Sequence, residues 1–418
     1  MTQHILEYLI LVCFFIWLIP LIYIKIKYPF WSHQPVFHSY DMLRYYYNSY
    51  QWRPYIIRNQ LSVKGRYFST NVSTDKFLDT TEETLSKVVD FLQSHYVESD
   101  MVLTMITQEM MEQDLSGTLS PSLLSLMKEK QLDYVLSSTG LVPHEKEVLI
   151  GCMTSRCTQL FVLHNSQSFQ EKIYFWDHIS THRKECHRNL GRNLLQSHDY
   201  YQRRYNRDIQ CSLFKKEGTL CEGVVPLMQY HIHTFPIVHI KQPPLQPYSL
   251  QKIQVSNSSL LHDFLYSLIH NKQNKPFSCC IFPETDVLDN LIQKRRLHVY
   301  ALTYQSNVTA LYFFKDPHMY YHVHDNERRI IECIGSIKSD FVQDDAPFFA
   351  GFLHALYEQQ TQDNYELVTF HESSHNHMIT DRWKWKYHAI SSSEGAYYAY
   401  NMVIPGMPFV PTCCFVIT

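Results

Sequence analysis

The sequence predicts a mixed α+β protein whose two halves follow a similar order of elements, preceded by one N-terminal transmembrane helix. Three observations predict it. Ile5 to Ile24 is an apolar run broken only by Glu7 and Pro20. Short apolar or alternating stretches that read as strands are interspersed with helical patterns on both sides of a Pro-rich seam, "PPLQPYSLQKI" at 243 to 253. The composition, 45% hydrophobic against 18% charged, is that of a chain that buries a core.

The apolar run is long enough to cross a hydrocarbon layer of about 30 Å as a helix. Lys25 and Lys27 follow it, and no Lys or Arg precedes it, so the charge bias places the body of the protein on the cytosolic side of a single-pass anchor. The run lacks the basic start and small-residue cleavage site of a signal peptide. The expected organisation is an anchor over 1 to 27, a first half over 28 to 240 and a second half over 241 to 418. In the first half, "TTEETLSKVVDFLQSHYVESD" at 80 to 100 reads as a capped helix with Leu85, Val88, Val89 and Leu92 on one face. Strands are expected at 148 to 154, 159 to 163 and 172 to 180. The second half holds a helix near 259 to 270, strands near 298 to 315, a helix near 346 to 358 and closing apolar strands.

Composition also excludes. Eleven glycines, with no G-x-G-x-x-G or G-x-x-x-x-G-K-[ST], argue against phosphate-binding loops of those kinds. A net charge of −3 gives no reason to expect nucleic acid as a partner, and the aromatic stretch "YDMLRYYYNSYQWRPYIIR" at 40 to 58 reads better as a domain surface or a headgroup contact beyond the span. The eleven cysteines contain no C-x-x-C and read as free thiols of a reducing compartment. "HESSHNH" at 371 to 377 is dense in histidine but reads as a polar loop, so no metal is expected.

Two stretches carry candidate chemistry. In "HISTHRKECHRNLGRNLLQSH", 178 to 198, a strand ends, basic residues fill a turn and a helix begins. Backbone N–H groups at that helix start, with Arg183, Lys184, Arg188 and Arg192, suit a pyrophosphate such as that of coenzyme A. The other is the end of the sequence. Cys413 to Thr418 is almost wholly apolar where domains ordinarily finish in polar, poorly ordered residues, which implies that something holds the segment inside.

Four separated stretches, in order, resemble the glycylpeptide N-myristoyltransferases. "YPFWSHQPV" at 28 to 36 is similar to the family's F-W-x-x-Q-P-V signature, and "VDFLQSHYVESD" at 89 to 100 to its D-F-L-x-x-N-Y-V-E-D helix end. "HISTHRKECHRNLGRNLL" aligns without gaps to F-L-C-V-H-K-K-L-R-S-K-R-x-A-P-x-L-I, keeping His182, and "YYAYNMVIPGM" at 397 to 407 resembles Y-Y-L-Y-N-W-x-x-P-S-M. The resemblance implies tandem acetyltransferase-like halves. It implies acyl-CoA, with myristoyl-CoA the expected form, as a substrate with no further cofactor, held by Tyr28, Phe30, Trp31, His182, Arg183, Lys184, Arg188, Asn189, Leu190, Gly191 and Arg192. It places a backbone oxyanion hole at His178 and Ile179, and the acceptor, an N-terminal glycine peptide, near Tyr96, Gly218, Tyr230, Tyr398 and Asn401. The α-carboxylate of Thr418 would be the base. A glycine ammonium is no nucleophile until it loses a proton, and a carboxylate in a largely apolar pocket is a fitting acceptor.

Several positions depart from the family's pattern. Its R-S-K-R turn reads Cys186-His187-Arg188-Asn189, its T-A-G reads Lys216-Glu217-Gly218, and its N-A-L-D-L-M-E-N strand reads "LVTFHESSH". Acyl-CoA binding is therefore better supported than recognition of an ordinary glycine peptide, and divergence of this grade is similar to copies carried by large DNA viruses. The expectation is a monomeric, membrane-anchored protein N-acyltransferase. Two alternatives stay open: another acyl-CoA acyltransferase of the same superfamily, and an inactive membrane-bound protein that keeps the fold to bind acyl-CoA or peptide.

Overall fold

In the computed structural model the described residues are 14, 18–48, 53–96, 102–117, 119–137, 140–164, 167–183, 189–238, 240–270, 276–323, 326–339 and 344–418. The strands are β1 (Tyr55–Ile56), β2 (Val72–Lys76), β3 (Val102–Thr104), β4 (Leu123–Ser137), β5 (Gly140–His164), β6 (Gln167–Thr181), β7 (Ser212–Glu217), β8 (Met228–Pro236) and β9 (Ser249–Lys252). They continue as β10 (Cys279–Phe282), β11 (Leu297–Tyr304), β12 (Asn307–Lys315), β13 (Met319–Val323), β14 (Asn326–Lys338), β15 (Leu367–His371), β16 (Ser391–Tyr400), β17 (Met402–Val403) and β18 (Cys414–Val416).

One arrangement occurs twice. Strands β4, β5 and β6 pair antiparallel, the helix Leu190–Tyr205 follows, and β7 then lies parallel to β6. Likewise β11, β12 and β14 pair antiparallel, the helix Asp345–Asp363 follows, and β15 lies parallel to β14. A strand, crossover helix and parallel strand bury the helix's apolar face on the sheet, which fixes the order in both places. The two copies share one sheet, running β18-β10-β5-β6-β7-β16-β8-β15-β14-β12-β11-β9. Strands cross the seam at 240 in both directions. β8 pairs with β15, β10 with β5, and β16 inserts between β7 and β8.

The capped helix runs Glu82–His95, with the Thr81 hydroxyl accepting from the amide of Thr84, and buries Leu85, Val88, Val89 and Leu92 as its spacing requires. The strands expected at 148–154 and 159–163 are parts of one long strand, β5. "HESSHNH" leads into the helix Asn376–Lys384, where the buried Asn376 amide donates to the carbonyls of Cys333 and His371 at 2.9 Å each. The described cysteines are free thiols.

The apolar end of the chain is interior. β18 lies parallel to β10 with Cys279 opposite Cys414 and Ile281 opposite Val416. Strand alternation then divides the segment between two cores. Cys414 and Val416 pack with Leu160, Val162 and Met402, while Phe415 and Ile417 pack with Phe277, Phe282 and Phe313. Most of the expected transmembrane run lies outside the described residues, which show a helix at 18–27; among the described residues no helix is long and apolar enough to cross a membrane.

Candidate functional site

The site is built around an interruption in the β5–β6 ladder. Register holds from His164 opposite Gln167 to Thr154 opposite Asp177, resumes with Cys152 opposite Ser180, and slips between. His178 and Ile179 occupy the bulge, which re-aims the strand's polar groups. His178 takes a left-handed φ of 50°, a costly conformation for a side chain with a Cβ. Its neighbours over-determine it. The His178 amide donates to Asp177 Oδ1 at 2.9 Å, its Nδ1 lies 2.9 Å from the Thr154 hydroxyl, and Asp177 Oδ2 is 3.2 Å from the Arg156 guanidinium. Burial alone would raise the Asp177 carboxyl, but His178, Arg156 and Lys315 hold it well below the usual carboxylate range.

Thr418 stands across from this bulge. Lys315 Nζ, at the end of β12, donates to the main-chain oxygen of Thr418 at 2.8 Å, and the Tyr397 hydroxyl of β16 lies 3.2 Å from Thr418 Oγ1. Further charges surround the pair. The buried Asp114 carboxylate sits 3.1 Å from Arg296, and although burial opposes it, Arg296, Lys315 and Arg156 bring it down to about 2. Lys215 pairs with Glu217. Burial raises Glu332 and lowers His371, the latter with help from Lys215 and Lys315.

One cavity of about 1010 Å³ joins these features. It is lined by Val416 and Thr418 at one end, by Lys315, Glu332 and Tyr397 beside them, by Asp177 to Thr181 along the bulge, and by His182 and Arg183 at the approach to the basic turn. This volume is in the range of small-molecule sites. Acyl transfer from a thioester to an amine needs a pocket for the thioester, donors for its oxygen and a proton acceptor, and the cavity brings groups of each kind together.

The expected site residues divide. Thr418, His178, Ile179, His182, Arg183, Tyr96 and Gly218 line the cavity. The Tyr96 hydroxyl is 3.4 Å from Asp177 Oδ1, and burial raises that phenol well above its ordinary value. Lys184 and Arg188 lie outside the described residues. Asn189 precedes the helix Leu190–Tyr205 with a φ of 58° and accepts from Arg192 at 2.7 Å, Leu190 is buried in the core beneath, and Gly191 packs beside Thr181.

The other expected residues lie away from this cavity or are already engaged. Tyr28 stacks on Tyr40, Phe30 meets Trp31 and Tyr67 edge-on, and Trp31 stacks on Phe214 at 5.8 Å, so these rings pack on protein rather than line this cavity. The His178 N–H, expected to face an oxyanion, is occupied by Asp177. Tyr398 points away because neighbours in a strand face opposite sides; its hydroxyl accepts the Cys221 amide at 2.9 Å, and Tyr397 faces the cavity instead. Asn401 is a buried tie, donating to the carbonyls of Arg58 and Gln210 and accepting the Arg58 amide. Tyr230 lies behind the lining, stacked 5.8 Å from Tyr397.

Sequence reasoning missed Asp177, Arg156, Lys315 and the Asp114–Arg296 pair. Asp177 was within reach, as the charged residue next to the expected oxyanion strand. Arg156 reaches Asp177 only through the β5–β6 pairing, Asp114 and Arg296 are far apart in sequence, and no local spacing links Lys315 to Thr418.

No family model matches the chain, and no curated protein sequence matches it. Solved structures do. Saccharomyces cerevisiae N-myristoyltransferase with bound myristoyl-CoA superposes with a TM-score of 0.65 at 12% identity, covering 91% of this chain and 89% of that one. A second structure of that enzyme with myristoyl-CoA gives 0.62 at 13% identity, covering 90% and 93%. A third, with myristoyl-CoA and inhibitors, gives 0.65 at 12%, covering 92% and 91%. Over nine-tenths of its length, this chain has the fold of the N-myristoyltransferases.

Proposed function

We propose that the protein is an acyl-CoA-dependent protein N-acyltransferase that moves a long acyl chain, with myristoyl as the first to test, onto the N-terminal glycine of a peptide. The observation that carries the reading is the single cavity running from Thr418 past the β6 bulge to His182 and Arg183. Acyl-CoA would enter with its phosphates toward Arg183 and the helix Leu190–Tyr205, whose first N–H groups add positive potential. The thioester carbonyl would rest at the bulge, with Ile179 as the remaining candidate backbone donor. The terminal carboxylate of Thr418 would take a proton from the glycine ammonium. The free amine attacks the thioester carbon, the C–S bond breaks, CoA thiol leaves, and no acyl-enzyme forms.

The apolar run at 5 to 24 with Lys25 and Lys27 behind it supports a membrane tether with the body on the cytosolic side. Membrane fractionation of the full chain against one lacking residues 1 to 27 tests that part.

The test of the chemistry is to extend the chain by a few residues beyond Thr418. Transfer of myristate to a glycine peptide should vanish while acyl-CoA binding persists; undiminished turnover by the extended protein would refute the proposal. Acyl-CoA that co-purifies and binds but is never discharged to any amine would favour a binding protein of the same fold.

A further inference from the structure

The cation that a terminal carboxylate would attract is already present in the protein. Lys315 Nζ donates to the main-chain oxygen of Thr418 at 2.8 Å inside the cavity that Thr418, Asp177 and Glu332 also line. Other carboxylates here have cationic partners as well: Asp177 has Arg156, Asp114 has Arg296, and Glu217 has Lys215. A substrate ammonium entering this region meets charges that are largely compensated.

We infer that Lys315 is a positioning residue for the proposed transfer: it holds one oxygen of the Thr418 carboxylate and keeps the chain end ionised at the floor of the cavity. The inference rests on the proposed function and adds a regulator of its base. Phe415 and Ile417 anchor the segment in the core, and Tyr397 meets the Thr418 side chain, but among the described contacts Lys315 is what engages the main-chain oxygen. A carboxylate carried this far inside would otherwise drift toward its neutral acid, because burial disfavours the charge. An ammonium in contact opposes that drift.

The lysine is itself balanced. Burial lowers its pKa, Asp114 and Asp177 oppose that, and Arg156 and Arg296 add to it. Glu332 of β14 and His371 of β15 respond to its charge in turn. Lys315 thus donates to one oxygen of the terminal carboxylate, and the inference assigns the other oxygen to the acceptor amine.

The experiment compares wild type, Lys315→Met and Lys315→Arg in the full chain labelled with [1-¹³C]threonine, the terminal signal being assigned by Thr418→Ser. Loss of the ammonium should raise the pH at which the terminal carboxylate titrates by about one unit, equivalent to roughly tenfold in the ionised fraction on the acidic side. The acidic limb of kcat/KM for transfer to a glycine peptide should move the same way, Lys315→Arg should restore both, and acyl-CoA affinity should not change. Coincident titrations in wild type and Lys315→Met would overturn the inference. If the extended chain loses transfer but the titrations coincide, only the role of Lys315 fails; if the extended chain keeps full transfer, the proposed function fails and the inference with it.

Discussion

The Tyr397 hydroxyl lies 3.2 Å from the Thr418 hydroxyl, while the hydroxyl of the adjacent Tyr398 lies on the other face of β16 and accepts the amide of Cys221. Two tyrosines one position apart therefore have separable duties. Tyr397→Phe should leave stability within about 1 kcal/mol and reduce transfer several-fold. Tyr398→Phe strands a buried amide and should cost about 1–3 kcal/mol with little specific effect on turnover. Thermal melts beside steady-state rates separate the two, and a reversed pattern would contradict the strand's assigned facing.

Asp114 and Arg296 set a pH dependence. The Asp114 carboxyl lies at about 2 in the fold against 3.8 ordinarily, so its contribution is present above pH 4 and is lost as pH falls through about 2. That difference is worth about 2 kcal/mol. Unfolding by urea between pH 6 and pH 2 should show the loss, and Asp114→Asn should make it smaller by about that amount, the contribution of Asp177 remaining. Arg296→Met removes the cation in contact with the buried acid and should cost about 3–5 kcal/mol near neutral pH.

Phe415 links the core to the chain end. It is fully buried among Phe277, Phe282 and Phe313, and a Cβ at Gly335 would meet its ring at 3.1 Å. Phe415→Ala should cost about 3–5 kcal/mol, the range for a buried aromatic, and should also release Thr418. Activity measured well below the melting temperature should fall by more than the folded fraction does; a fall that merely tracks folding would remove the chain end from the site.

Asn401 is predicted to matter for folding alone. Its φ of 62° favours residues without a Cβ, and its side chain joins Arg58 and Gln210. Asn401→Ala should cost about 3 kcal/mol from the lost buried hydrogen bonds together with the strain, and Asn401→Gly about 1 kcal/mol less because the strain is relieved. The folded fraction of both should bind acyl-CoA as wild type does, which calorimetry would measure.

Much of this protein is written locally. The Thr81 cap and the spacing of Leu85, Val88, Val89 and Leu92 specify one helix, and the apolar Cys414–Ile417 run specifies an interior strand, because capping and burial act over a few neighbouring residues. The ordered motifs around Trp31, Tyr96, His182 and Tyr397 announced the fold. Which tyrosine faces the cavity, that the His178 amide is already engaged, and that Lys315 meets Thr418 were decided only by the folded sheet. A bulge in β6 and the insertion of β16 between β7 and β8 set those distances. Contacts between residues a hundred positions apart depend on register, and a single-residue slip reverses every side chain, so no local pattern can encode them.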